Sequence, residues 1–520
     1  MRKTKPSRTT AVARQSQQGK YKMTTIDCTL LNASGHVQAL PQRYSLVSLA
    51  GVGMTVGNVW PAIGGTILVA ISNGGPPGVL YEFLVVSFFY FLVAASLAEL
   101  ASAIPSAGGV YHWATVLPGR KWGRPLGFFA GWWNYLGLAM GGASMTAILG
   151  NTVVQMYALN HPDFVAETWH VFVVYIICVW LSAALVCVAN AAMPFLNKAG
   201  IFFILAGFLI TTVAVAAMPG HNGRSPHATS EFVWTQWTQS LGYPDGFVFV
   251  AGMLNGAYSI GTVDVITHLA EEIPHPERAV PIGMGLQIVM GFLTGFCFLV
   301  AIMYAISDLS AVSDAAYPIA EIYRQATGNA AGASALLALL LVNIALCVIG
   351  LSITNGRTLW ALARDGATPV PKFLSKVHEG LGMPLNATIS GAVLVSVLGC
   401  IYIGSKTAFN AFIASTILFF SSSYIVCIVP HLIRRCRGRE ILSYGPFKLR
   451  GGNGWVGIVV NAMACSYLMT WFVIYSFPYY LPTSAASMNY SCLIWGGFTV
   501  FAGVWWVLSG HKGIGSERQE

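Results

Sequence analysis

Leu49-Ala-Gly-Val-Gly-Met-Thr-Val-Gly-Asn58 and Leu254-Asn-Gly-Ala-Tyr-Ser-Ile-Gly-Thr-Val-Asp264 lie in two hydrophobic segments, 44–71 and 247–270, far apart in the chain. Each segment is long enough to cross a membrane, yet each is interrupted near its middle by glycines and small polar residues. A lone glycine in such a helix serves close packing. A matched pair of interruptions points instead to two broken helices, whose exposed backbone donors and acceptors build a transport site.

Outward from these segments, the composition sets the class. The 520 residues are 55% hydrophobic and only 9% charged, with a mean hydropathy of +0.64, as expected of an all-α polytopic membrane protein. Since roughly 20 apolar residues cross a bilayer, twelve transmembrane helices are expected, over 44–71, 78–101, 125–157, 169–190, 196–218, 247–270, 281–307, 331–356, 385–404, 408–431, 455–479 and 489–509. Span three is long enough to tilt or project beyond the membrane.

All but Arg224, Arg324 and Lys406 of the 28 Lys and Arg residues fall on the side shared by both termini. The positive-inside rule makes that side cytoplasmic, so the formal net charge of +9 reflects topology. A nucleic-acid partner would require a folded basic domain, and the basic residues here are spread over short loops and the tail 1–43. That tail reads as disordered, 44–509 as the transmembrane domain, and 510–520 as a short cytoplasmic tail.

Ten cysteines are scattered singly and give neither a disulfide frame nor a metal pattern. Asn489-Tyr-Ser491 is an outer-side glycosylation sequon at the membrane surface. The polar segments are too short to hold an enzyme, and no catalytic set, nucleotide fold or cofactor motif is present. Transport must then draw on an ion gradient or on exchange. Trp234 and Trp237 suit an interfacial belt or a short lid helix, and 317–324 reads as another short outer helix.

Four blocks carry a family resemblance: Glu99-Leu-Ala-Ser-Ala-Ile-Pro-Ser-Ala-Gly-Gly-Val-Tyr-His-Trp113, Asp264-Val-Ile-Thr-His-Leu-Ala-Glu-Glu-Ile-Pro-His-Pro-Glu-Arg-Ala-Val-Pro281, Arg357-Thr-Leu-Trp-Ala-Leu-Ala-Arg-Asp-Gly-Ala-Thr-Pro369 and Tyr444-Gly-Pro-Phe-Lys-Leu-Arg-Gly451. With them, 44–509 resembles the amino acid–polyamine–organocation superfamily, in particular the fungal branch of choline and GABA permeases. The resemblance implies a LeuT-like fold of two inverted five-helix repeats plus two helices, with spans one and six broken. It also implies a secondary active permease for amino acids, choline or similar amines, set among membrane lipid and driven by protons.

On this reading the amides around Gly51, Val52 and Gly53 meet a substrate carboxylate. Carbonyls near Asn255, Gly256 and Ala257 accept from the substrate ammonium, and Tyr258 closes over it or serves ordinary packing. Trp60, Trp132, Trp133 and Tyr135 are candidates, with Tyr258, for an aromatic box around a quaternary ammonium. Lys198 either bridges spans one and five as a proton-coupling group or anchors a helix end. Asp264 and His268, four apart on one helical face, form a proton-responsive pair or a cation site, and Glu82 reaches water near the outer face. Glu99, Glu271, Glu272, Arg357, Arg364 and Asp365 gather at the cytoplasmic face, as a gate or as solvated loop charge. The default location is the plasma membrane. An exporter or importer of a specialised small amine, and a non-transporting nutrient sensor, are further readings of the same fold.

Overall fold

A computed structural model describes residues 40–508 other than 222, 405, 439–442, 450–453 and 486. Apart from 40–43, the expected tails lie outside the described residues. The expected apolar segments fold as helices. Among the described residues eleven are long and apolar enough to span a membrane, and the segment expected at 385–404 forms a further apolar helix.

Span one consists of α1 (Leu46–Val56) and α2 (Val59–Gly65). A capping box of Ser45 and Ser48 starts α1, each side chain satisfying a backbone amide that the first turn leaves without a partner. The next spans are α3 (Gly75–Ala103), α4 (Val110–Val116, a short helix on the connection), α5 (Arg120–Asn160), α6 (Thr168–Val188) and α7 (Met193–Ala217). At 41 residues, α5 is about 60 Å long and overreaches a bilayer core of about 30 Å.

Span six is α8 (Asp245–Ile260) followed by a tighter 3-10 segment, Val265–Glu272. Then come α9 (Pro276–Ala305), α10 (Pro318–Thr327, the expected short outer helix), α11 (Ala330–Arg364), α12 (Leu385–Gly404), α13 (Lys406–Cys436), α14 (Trp455–Ile474) and α15 (Ser491–Leu508). The end from which α1 starts is termed inner, the opposite end outer.

Spans one and six sit at the centre. All of α1 beyond Val47 is buried, and α1 packs against α7, α9 and α11. By contrast α6, α7 and α15 present rows of exposed apolar residues such as Ile177, Leu181, Leu209, Val213, Val500 and Val504, the surface a helix offers to lipid. On the inner side, Gly109 turns the connection after α3 with φ +49 and lies so close to Thr267 that a Cβ would stand 2.5 Å from its hydroxyl. Glycine meets both demands, and the connection thereby rests on the second half of span six.

Candidate functional site

Both central helices are interrupted, at positions later than the first glycines suggest. Gly51, Val52 and Gly53 lie inside α1, where amides belong to the helical ladder. There Gly51 permits close approach to the backbone of Asn197, in α7. The break falls at Gly57–Asn58, with Asn58 at φ −79, ψ 88. A Cβ at residue 57 would stand 2.5 Å from Gln287 Nε2, so the intrusion of that side chain from α9 requires glycine.

In span six, Asn255, Gly256, Ala257 and Tyr258 form the last turns of α8, and the chain leaves the helix at Gly261. Carbonyls of a final helical turn lack intrahelical donors. Just past the helix end the same holds: the Gly261 carbonyl accepts from the Tyr424 hydroxyl at 3.3 Å, and the Thr262 carbonyl accepts from Gln287 Nε2 at 2.7 Å. Gln287 therefore touches both breaks and fixes their separation.

Between the breaks lies a cavity of about 20 Å3, lined among others by Val56, Ala62, Tyr258, Ser259, Thr262 and Phe420. That is room for about one water, so admitting a substrate requires the walls to part. No charged side chain lines it. Tyr258 reaches it, with its hydroxyl 2.6 Å from Ser144 Oγ, and Phe420 adds a second ring, stacked on Tyr424.

The other candidate aromatics are occupied elsewhere. Trp60 packs edge-on to Phe298, Trp132 donates to the Ala367 carbonyl and stands beside Tyr135, and Trp133 donates to Thr499. Of the five, only Tyr258 lines the cavity, and Phe420 carries no local signal that would have singled it out.

Just inward of the cavity, Asp264 is fully buried. Its carboxylate accepts from Asn134 Nδ2 at 2.6 Å and from the Tyr424 hydroxyl at 2.6 Å, tying span six to α5 and α13. His268 Nε2 is 3.6 Å from the same carboxylate, and its Nδ1 lies 3.1 Å from the Ala107 carbonyl. The structure thus brings Asp264 and His268 together, while Asn134 and Tyr424 are partners distant in sequence.

Further inward, three carboxylates meet arginines. Glu272 accepts from Arg357 Nε at 3.0 Å, and the same guanidinium donates to Asn190. Glu271 takes both terminal nitrogens of Arg364, at 3.0 and 2.9 Å. Glu99 takes Arg435 at 3.0 and 2.6 Å, with His431 Nε2 at 3.2 Å. These bonds link the end of span six to α11, and α3 to α13. Asp365 bonds the Tyr111 hydroxyl. The Arg357–Glu272 and Arg435–Glu99 pairs are at most 2% exposed, unlike solvated loop charge.

Lys198 is exposed at the inner end of α7, and its neighbour Asn197 is the buried residue facing α1. Glu82 is buried where the sequence suggested access to water. Asn489 is also buried, and its side-chain nitrogen donates to the Tyr475 and Phe477 carbonyls at 2.6 and 3.1 Å. A sugar on that nitrogen would have to displace both bonds.

A polytopic helical bundle with two central helices broken around a buried cavity defines a membrane transporter fold, and comparison with known proteins names its family. The chain belongs to the amino acid permease family, whose pattern matches residues 45–498. It is 32% identical over 483 residues to the choline transporter of Saccharomyces cerevisiae, an alignment covering 92% of this chain and 83% of that one. It is 26% identical over 491 residues to the GABA-specific permease of the same yeast, covering 92% and 84%. Among solved structures, a manganese transporter of Eremococcus coleocola aligns with a TM-score of 0.55 at 14% identity, covering 92% of this chain and 98% of that one. At that identity the likeness concerns the fold alone: two inverted five-helix repeats with α14 and α15 added.

Proposed function

We infer that the protein is a secondary active permease that moves a small nitrogenous compound, such as choline or an amino acid, across the plasma membrane by alternating access. The observation that carries this reading is the meeting of two broken helices at one cavity, closed on the inner side by buried ion pairs; in this reading the pairs part when that side opens. Inner is then cytoplasmic, and both termini lie there. A cationic amine would rest against the carbonyl end of α8 and the faces of Tyr258 and Phe420, where a partial negative charge and two ring quadrupoles face the cavity. A substrate carboxylate, where there is one, would meet the backbone freed at Gly57–Asn58.

Transport in this reading is coupled to protons, with the neighbouring Asp264 and His268 at the hinge of span six as the coupling pair. Lys198 is less suited, being exposed beside the residue that faces α1.

The test is uptake of radiolabelled choline, GABA, amino acids and polyamines into cells lacking their own permeases, with and without a protonophore. Saturable, protonophore-sensitive uptake of one compound is expected. No uptake of any of them, with the protein demonstrably at the surface, would overturn the reading.

A further inference from the structure

Glu82 sits two turns into α3 from its outer end and is 2% exposed. Both carboxyl oxygens are buried without a hydrogen-bond partner, and among the described residues no basic side chain pairs with it. Its head packs on the backbone of Gly252 in α8, so closely that a Cβ there would overlap both oxygens. Each packed neighbour offers little charge. From α8 comes Gly252 itself, with Asp245 exposed at the helix start. The end of α14 brings the Tyr475 hydroxyl, a neutral group 3.3 Å from the Tyr467 hydroxyl. The α9 face presents Phe292, stacked on the adjacent Phe83. Glu231, on the short outer helix Ser230–Trp234 that also contacts α3, is exposed.

An ionised carboxylate in such surroundings costs several kcal/mol. The neutral acid does not, and in apolar surroundings a neutral carboxyl packs against a glycine backbone without that penalty. Toward the same outer end, α8 also lines a cavity of about 40 Å3, through Phe247, Val248, Ala251 and Leu254, with Tyr475 and Asn489 across it, room for a few waters at most. A small outward tilt of α8 would lift Gly252 away and join this cavity to Glu82.

We propose that Glu82 is a proton-binding site loaded from the outer side: with α8 tilted away, the carboxylate meets water and takes up one proton, and only the neutral acid lets Gly252 close over it. The balance is one carboxylate plus one proton giving one carboxylic acid, with no other reactant. Closure of the outer half of span six thereby becomes conditional on a bound proton, at a site separate from Asp264 and the inner ion pairs. The coupling half of this proposal rests on the transport reading above, whereas the protonation half does not.

Two readouts separate them. In purified protein at neutral pH, infrared difference spectra between the parent chain and Glu82→Gln should contain a protonated-carboxyl stretch that the variant lacks. In proteoliposomes, an inward pH gradient of one unit supports up to about tenfold accumulation per coupled proton. Glu82→Gln, a neutral mimic of the acid, should lose that accumulation while substrate counterflow stays within about twofold. Absence of the infrared band, or its persistence in the variant, would overturn the protonated site. Full accumulation by Glu82→Gln would overturn its coupling role. If the parent chain transports nothing, the transport reading and the coupling role both fall, and the infrared band still decides the protonation.

Discussion

At the inner end Glu99, Glu271 and Glu272 each meet an arginine, with two of the three pairs nearly water-free. The outer end uses other means. There Trp471 donates to the Val250 carbonyl, Trp234 to the Tyr304 hydroxyl, and the Glu321–Arg324 pair lies open, with the arginine 52% exposed. One closure is built from charge shielded from water, the other from aromatic rings and neutral hydrogen bonds around a lone acid, Glu82. A shielded pair is strong while intact and costly once half is removed, because the remaining charge is stranded. A wet pair costs little to lose. Mutation should therefore read the two ends very differently.

The largest effect is expected at Arg357. Arg357→Ala strands Glu272 and should cost about 3–5 kcal/mol, seen as a lower melting temperature in detergent and as raised labelling of inner-side cysteines. Pairing Arg357→Met with Glu272→Gln should recover most of the loss, since no net charge then stays buried. Equal damage from the single and double variants would break the comparison.

Gln287→Leu comes next, leaving the Thr262 carbonyl unpaired at about 1–3 kcal/mol. Uptake should fall by roughly fivefold to a hundredfold, by the usual conversion of 1.4 kcal/mol per decade. Uptake equal to that of the parent chain would show that the two breaks do not depend on this bridge.

Tyr258→Phe removes the bond to Ser144 and keeps the ring, for about 1 kcal/mol. It should weaken apparent substrate affinity by roughly fivefold with little change in maximal rate. A change confined to the rate would remove Tyr258 from the binding surface.

Arg324→Ala, at the wet outer pair, should change stability by less than about 0.5 kcal/mol. A larger shift would erase the contrast between the ends.

The distribution of apolar residues made the spans legible, and small polar residues inside spans one and six identified both as broken. The position of the break was less legible. Gly51 and Gly53 have the same sequence signature as Gly57, yet they serve packing within α1, against the Asn197 backbone and beside Ile266. Gln287 bears on both Gly53 and Gly57 but presses closer at Gly57, 2.5 Å from a Cβ there against 3.0 Å at Gly53, and that contact comes from a helix more than 200 residues away. The inner acidic and basic residues were visible as a group. Their pairing was not, since Glu99 finds Arg435 across 336 residues. The Lys198 expectation turned on one position: adjacent helical residues point about 100° apart, and here Asn197 faces α1.

The most direct test compares uptake by the parent chain and by Gly57→Leu at matched surface amounts, across choline, GABA and amino acids. If the paired breaks form the transport site, the parent takes up at least one compound saturably. The variant, whose side chain would collide with Gln287, should then fall to background. Undiminished uptake by Gly57→Leu would contradict the account, because transport would then not depend on the break in span one.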